Sequence, residues 1–145
     1  MHVCVHTTNN ERKTIESKQG SLKVSALDDK SLGGTMLISS FHSQVERTPD
    51  DSALSYVDDK GKTKEMTYRD LRAHVKRLSN AMSFLKPDQT VGIALHRSPA
   101  CVVAIMAVLD AGACYVPLDP SYPKERLAIF VEDAKMSVLL AQKST

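Results

Sequence analysis

V-G-I-A-L-H-R-S-P-A-C-V-V-A-I-M-A-V-L-D-A-G-A-C-Y-V-P-L-D-P, residues 91–120, decides the fold. Val91–Leu95 is a short apolar run containing β-branched residues, as a buried strand requires. Ser98–Pro99 then offers a capping hydroxyl followed by proline at the first helical position, where a missing N–H costs nothing. Ala100–Leu109 is apolar all round, which predicts a buried helix with Val102, Ile105, Met106 and Leu109 in the core. Gly112 follows Asp110–Ala111 and can take the left-handed conformation that closes a helix. Cys114–Leu118 is a second apolar run, stopped by Asp119–Pro120. Strand, helix and strand make a βαβ unit, a crossover that is almost always right-handed. Its strands should be parallel neighbours, or nearly so, in a sheet covered on both faces.

Downstream the pattern repeats. Pro123 starts a helix whose Leu127, Phe130, Val131 and Ala134 fall on one face, and Met136–Ala141 follows as a third apolar strand. Residues 91–141 therefore read β-α-β-α-β, the signature of an open parallel layer. Upstream, Lys86-Pro87-Asp88 breaks a helix that begins at the capping box Thr67-x-x-Asp70, with Met66 and Leu71 placed as a hydrophobic staple. Leu71, Val75, Leu78, Met82 and Leu85 mark its apolar face. Ser52–Val57 and Lys64–Thr67 flank the turn Asp58–Thr63 and predict a hairpin. Thr35–Thr48 reads as a helix with Leu37, Phe41 and Val45 on one side, ended by Pro49. Met1–Gly34 is polar and turn-rich and reads as a mobile leader, with Ser21–Leu27 as its one possible short strand. The fold class is α/β, with a helix and a β-hairpin ahead of the parallel layer. Residues 1–34 form the leader and residues 35–145 the α/β domain.

Composition excludes several function classes. The chain has 145 residues and a net charge of +2, with no Lys/Arg block interleaved with aromatics, so neither nucleic acid nor an anionic membrane is an expected partner. Ala100–Leu109 is about half the length of a membrane span. Cys4, Cys101 and Cys114 form no C-x-x-C pair. Cys101 and Cys114 fall inside predicted buried elements, a pattern typical of reduced cytoplasmic thiols.

Several stretches carry residue types suited to chemistry. His2-x-Cys4-x-His6 has metal-like residues but too few for a structural zinc site. Gly61-Lys62-Thr63 resembles the end of a phosphate loop, yet Tyr56 stands where that motif needs glycine, and a hairpin turn explains Gly61. Arg69, Arg72, Lys76 and Arg77 make one helix face basic, the ordinary pattern of a solvated face. In an open parallel sheet ligands gather at the carboxyl ends of strands. His96-Arg97-Ser98 and Asp119-Pro120-Ser121 occupy those ends, and Arg97 and Asp119 are placed to pair with each other or to orient a polar ligand. H-R-S-P lacks the glycines of a dinucleotide turn. His42 and His74 lie on predicted helices without evident partners. Lys124 sits at a helix start, but one lysine is not a site.

Leu109–Pro120, followed by Ser121-Tyr122-Pro123-x-x-Arg126-Leu127, resembles the second core motif of amino-acid adenylation domains. These are the activating domains of nonribosomal peptide synthetases, within the adenylate-forming ligase superfamily. Met66-Thr67-Tyr68-Arg69-Asp70-Leu71 resembles their first core motif, usually L-T/S-Y-x-E-L. Order and spacing agree over roughly Met36–Gln142. Asp110 stands where lysine is usual, Cys114 where alanine is usual, and Asp70 replaces glutamate.

The resemblance implies ATP- and Mg²⁺-dependent activation of a carboxylic acid to an acyl-adenylate, then transfer to a thiol, often on a phosphopantetheine carrier. Y-V-P-L-D-P with Asp119 resembles amino-acid activators more than fatty-acyl ligases. The family's phosphate loop, pocket residues, Mg²⁺ carboxylate and catalytic lysine lie downstream of both motifs. No catalytic, cofactor-binding or metal-binding residue is therefore carried onto this chain, and the segment alone is expected to be inactive. Two other readings stand beside this one. The chain is part of a fatty or aryl acyl-CoA ligase, or it is a non-catalytic truncated protein that acts only by binding a partner.

Overall fold

The computed structural model describes residues 3–7, 12–13, 34–58 and 60–142. Its elements run β1 (Val3–Thr7), β2 (Arg12–Lys13), α1 (Gly34–Arg47), β3 (Ser52–Val57), β4 (Thr63–Thr67), α2 (Tyr68–Ala81), β5 (Thr90–Ala94), α3 (Pro99–Asp110), β6 (Cys114–Pro117), α4 (Lys124–Asp133) and β7 (Val138–Gln142). The main sheet has the order β2-β1-β7-β5-β6, and β3 and β4 form a separate antiparallel hairpin. β5 lies between β6 and β7 and is parallel to both.

The expected α/β layer is present because each local signal operates. Ser98 caps α3, its Oγ accepting from Cys101 N–H at 3.4 Å, with Pro99 in the first turn. At the other end Gly112 has φ +72°. Its N–H donates to Leu109 C=O and the Ala113 N–H to Val108 C=O, both at 3.0 Å. This pair of hydrogen bonds closes the helix and satisfies carbonyls that would otherwise lack partners. Thr67 caps α2 by accepting from Asp70 N–H at 3.2 Å, and its hydroxyl donates to Asp70 Oδ2 at 2.9 Å. The staple residues Met66 and Leu71 are both buried.

From β5 the chain crosses through α3 to β6 on one side, then returns through α4 to β7 on the other. Right-handed crossovers leading in opposite directions place α3 and α4 on opposite faces. The α3 face holds the core: Phe41 and Val45 from α1, Leu71, Val75 and Met82 from α2 and its end, and Val103, Ala104, Ala107 and Val108 from α3 pack with Val91, Ile93, Val138 and Leu140. On the other face side chains from β7 and from residues flanking β6 and β7 crowd Gly92 and leave it no room for a side chain. A Cβ there would lie 2.8 Å from Met136 Sδ and 2.9 Å from Leu139 Cδ1.

Four expectations are corrected. α3 is not buried all round: Val103, Ala104, Ala107 and Val108 face the core, while Val102, Ile105, Met106 and Leu109 are half-exposed. An all-apolar helix carries no periodic signal to say which side meets the sheet. Cys114 is exposed rather than buried, because β6 is an outer strand. In α1 the core positions are Ile38, Phe41 and Val45, and Leu37 is 53% exposed. The leader is not wholly outside the fold, since Val3–Thr7 joins the sheet antiparallel to β7. Its alternating V-C-V-H-T supplies a β-branched strand, and β7 offered an open ladder. The possible strand at 21–27 lies outside the described residues, as does His2 of the His2-Cys4-His6 group. The face of α4 is as predicted but stays only half-covered, and no α4 residue is fully buried.

Candidate functional site

β5 is the first strand of the parallel layer, and its two neighbours are reached by crossovers on opposite faces. The connections that leave the carboxyl ends of β5 and β6 run to α3 and α4, so they part at this edge of the sheet, where ligands gather in such folds. His96 and Arg97 leave the end of β5 exposed to solvent. Ser98 turns inward to cap α3, its Oγ donating to His96 C=O at 3.0 Å.

Arg97, Ser98, Pro99 and Val102 form one wall of an open groove of about 530 Å³. Leu54–Asp58 on β3 and just past it form the other. The groove accounts for the partial exposure of Val102. Its walls are largely apolar, with Arg97 and Asp58 as the charged members.

The expected pairing of Arg97 with Asp119 is not what Asp119 does. Its Oδ1 accepts from Ser121 N–H at 2.9 Å, closing the turn that leads to α4. That backbone hydrogen bond holds the Asp119 carboxyl below its usual value, with a smaller contribution from nearby His96. Asp58 is used in the same way. Its Oδ1 accepts from Lys60 N–H and Lys62 N–H, both at 2.9 Å, and Lys64 Nζ lies 3.2 Å from Oδ2. The Lys62 amide is the largest influence keeping the Asp58 carboxyl low. Gly61-Lys62-Thr63 is thus a hairpin turn, with Gly61 at φ +75°. Its Gly61 N–H is given to the Asp58 C=O and its Lys62 N–H to the Asp58 carboxylate, so it is no phosphate loop.

The basic face of α2 is solvated at Arg69 and Arg77, and three of its four cations also hold carboxylates. Arg69 holds Asp50 with two nitrogens, at 2.9–3.1 Å, and Arg72 pairs with Glu46. Lys76 reaches Asp110 at 3.0 Å from both carboxylate oxygens. His74 is partly buried, and burial first, then Arg77, lowers its ring below the usual value. Lys124 opens α4 exposed to solvent.

Asp110 is the polar centre that sequence reasoning missed. Its side chain is 3% exposed and accepts from Ser79 Oγ at 2.6 Å as well as from Lys76, while His42 Nε2 lies 3.0 Å from Oδ1. Burial alone would raise this carboxyl. The bonds from Ser79, Lys76 and His42 outweigh it and hold the group below its usual value. His42 is therefore a tie between α1 and α3 rather than an unpartnered surface residue. Two signals were available: a lone charge ending an apolar helix, and a serine at position 79 on the Leu71–Val75–Met82 stripe.

The two motif stretches now have structural roles. Met66–Leu71 ends the hairpin and caps α2. Leu109–Pro120 supplies Asp110, the helix stop at Gly112, strand β6 and the Asp119 turn. Neither brings together a nucleophile with a base, paired carboxylates, or a set of metal ligands among the described residues.

A sequence profile described as "AMP-binding enzyme" matches residues 41–145. The chain is 46% identical over 106 residues to a linear gramicidin synthase of Brevibacillus parabrevis, an alignment covering 72% of this chain and 1% of that protein. Among solved structures, the nonribosomal peptide synthetase FmoA3 in an AMPPNP-bound form superposes with a TM-score of 0.62 at 28% identity, covering 69% of this chain and 10% of that one. The N-terminal subdomain of Klebsiella oxytoca NpsA superposes with a TM-score of 0.61 at 24% identity, covering 69% and 26%. The chain spans only a small part of each.

Proposed function

This chain belongs to the AMP-binding enzyme family as an N-terminal piece of an adenylation domain of the nonribosomal peptide synthetase type, and we propose that it serves the ATP-dependent activation of an amino acid as scaffold rather than as catalyst. The carrying observation is that both resembling motifs, Met66–Leu71 and Leu109–Pro120, are spent on helix caps, a helix stop, an outer strand and a turn. In this role the start of α3 and strand β3 hold the groove walls, and Ser98 and Asp119 fix the loops at the carboxyl edge of the sheet. A carboxylic acid poised against an α-phosphorus needs fixed surroundings, and rigid walls supply positioning.

ATP and Mg²⁺ would supply the leaving group and the charge neutralisation, but the residues here do not fit them. Asp58 and Asp119 already serve their own turns, and no metal-holding cluster exists among the described residues. Reacting groups, the acid substrate and a phosphopantetheine carrier belong to the longer protein. The cytoplasm is the compartment we propose, in keeping with two unbridged thiols, Cys101 and Cys114. No helix among the described residues is long and apolar enough to cross a membrane.

A chimera tests the proposal. Residues 41–145 replace the matching segment of an adenylation domain in that linear gramicidin synthase, and amino-acid-dependent exchange of pyrophosphate into ATP is measured. Exchange within about tenfold of the parent is expected, with the purified 145-residue chain alone giving none. A folded chimera without exchange, or robust exchange by the chain alone, overturns the scaffold reading.

A further inference from the structure

We propose that the free edge of β3 takes one further strand, an extended segment of the longer adenylation domain that carries a carboxylate to Arg97 and apolar side chains to Pro99 and Val102. The inference rests on the reading of this chain as a piece of that domain. Among the described residues β3 pairs only with β4. Asp58 N–H donates to Lys62 C=O at 2.9 Å, in the same register that sets Tyr56 opposite Lys64 and Leu54 opposite Met66. Main-chain groups of an antiparallel strand turn to its two sides by alternate residues. Leu54, Tyr56 and Asp58 therefore face β4, while Ser55 and Val57 present their N–H and C=O on the opposite edge.

That edge is a wall of the groove, which Leu54–Asp58 line without a gap. Successive side chains leave a strand on opposite faces, so a wall made of consecutive residues runs along its edge rather than over one face. Across the groove stand Pro99, Val102 and Arg97. Arg97 is exposed, and the ion pairs among the described residues do not include it. Asp58, the other charged member, is occupied by the Lys60 and Lys62 amides and by Lys64. An uncommitted cation, apolar walls and two unspent peptide groups suit an extended peptide bearing a carboxylate. Main-chain hydrogen bonds hold such a strand, and its side chains select it.

The longer protein itself supplies the strand. Leu54 and Tyr56 pack against the core, and β3 lies within the matched residues 41–145, so the groove belongs to the body of the domain. An open edge in that position is a template for association unless it is covered. This chain spans 26% of the NpsA N-terminal subdomain on which it superposes, so most of such a fold lies outside these residues.

Residue-resolved hydrogen exchange tests the proposal in the folded chimera that carries residues 41–145 within a complete adenylation domain. The Ser55 and Val57 amides should exchange as slowly as those of Leu54 and Tyr56, at every protein concentration. In the 145-residue chain they should exchange at least about tenfold faster than in the chimera. Arg97→Glu in the chimera should speed Ser55 and Val57 severalfold, and Arg97→Lys should not. Fast exchange at Ser55 and Val57 in the chimera overturns the proposal. So does protection equal to that in the 145-residue chain, or protection that grows with concentration, which marks a second copy. Unchanged protection in Arg97→Glu overturns the carboxylate contact. Pyrophosphate exchange by the same chimera keeps the two readings apart: fast amides with normal activity sink the added strand alone, and slow amides without activity sink the scaffold role alone.

Discussion

Ser79 Oγ donates a 2.6 Å hydrogen bond to Asp110 Oδ2 across the junction of α2 and α3. Together with Lys76 and His42, it makes Asp110 the point where three helices are joined. A buried carboxylate persists only when its lone pairs are satisfied, and here two formal donors and a histidine do so.

Asp110→Asn should lower stability by about 2–3 kcal/mol, since it removes the charge that Lys76 faces and leaves partners short of an acceptor. Urea unfolding of parent and variant measures this. The acid response gives the sign. Asp110 has a native value below its ordinary 3.8, so its contribution is present above about pH 4 and is lost as pH falls through the lower native value. The parent should weaken over that range, and the variant should show a flatter profile. Equal acid sensitivity in both would contradict the geometry.

Lys135 closes α4 at φ +48°, with its N–H on Glu132 C=O and the Met136 N–H on Val131 C=O. A side chain there is strained, so Lys135→Gly should raise stability by about 0.5–1 kcal/mol. Gly112 is the converse. A Cβ would meet nothing within 4 Å, so Gly112→Ala should cost about 1 kcal/mol through φ alone. Thermal melts of both variants check the pair, and a stabilised Gly112→Ala would refute it.

The orientation of α3 is testable by charge placement. Val108 is 0% exposed, whereas Ile105 is half-buried. Val108→Asp should abolish cooperative unfolding, while Ile105→Asp should fold with reduced stability. The reverse order would mean that the helix is rotated.

Gly92→Val should destabilise by about 1–3 kcal/mol, because its branches enter space held by Met136, Leu139 and Leu118. Adding Met136→Ala should recover part of that loss, measured as a coupling in a double-mutant cycle.

Much of the architecture was legible because its signals are local. Ser98-Pro99, Thr67-x-x-Asp70 and Gly112 act within one helical turn, and the Asp58–Thr63 turn closes on its own amides. Such features are encoded in neighbours along the chain, so spacing alone reveals them. At the strand ends His96, Arg97 and Asp119 were legible as loop residues of the carboxyl edge, where the structure places them.

What the chain by itself determined is the order of elements, their stops and starts, and a parallel α/β layer built around residues 91–120. Tertiary structure alone decided which side of α3 is buried, because an all-apolar helix offers no preferred face until α1, α2 and β5 surround it. It also decided that Asp110 is held by groups 31, 34 and 68 residues away, and that Val3–Thr7 lies against β7 near the other end of the chain. Those partners are distant in sequence, and no local periodicity records a contact that exists only once the sheet has formed.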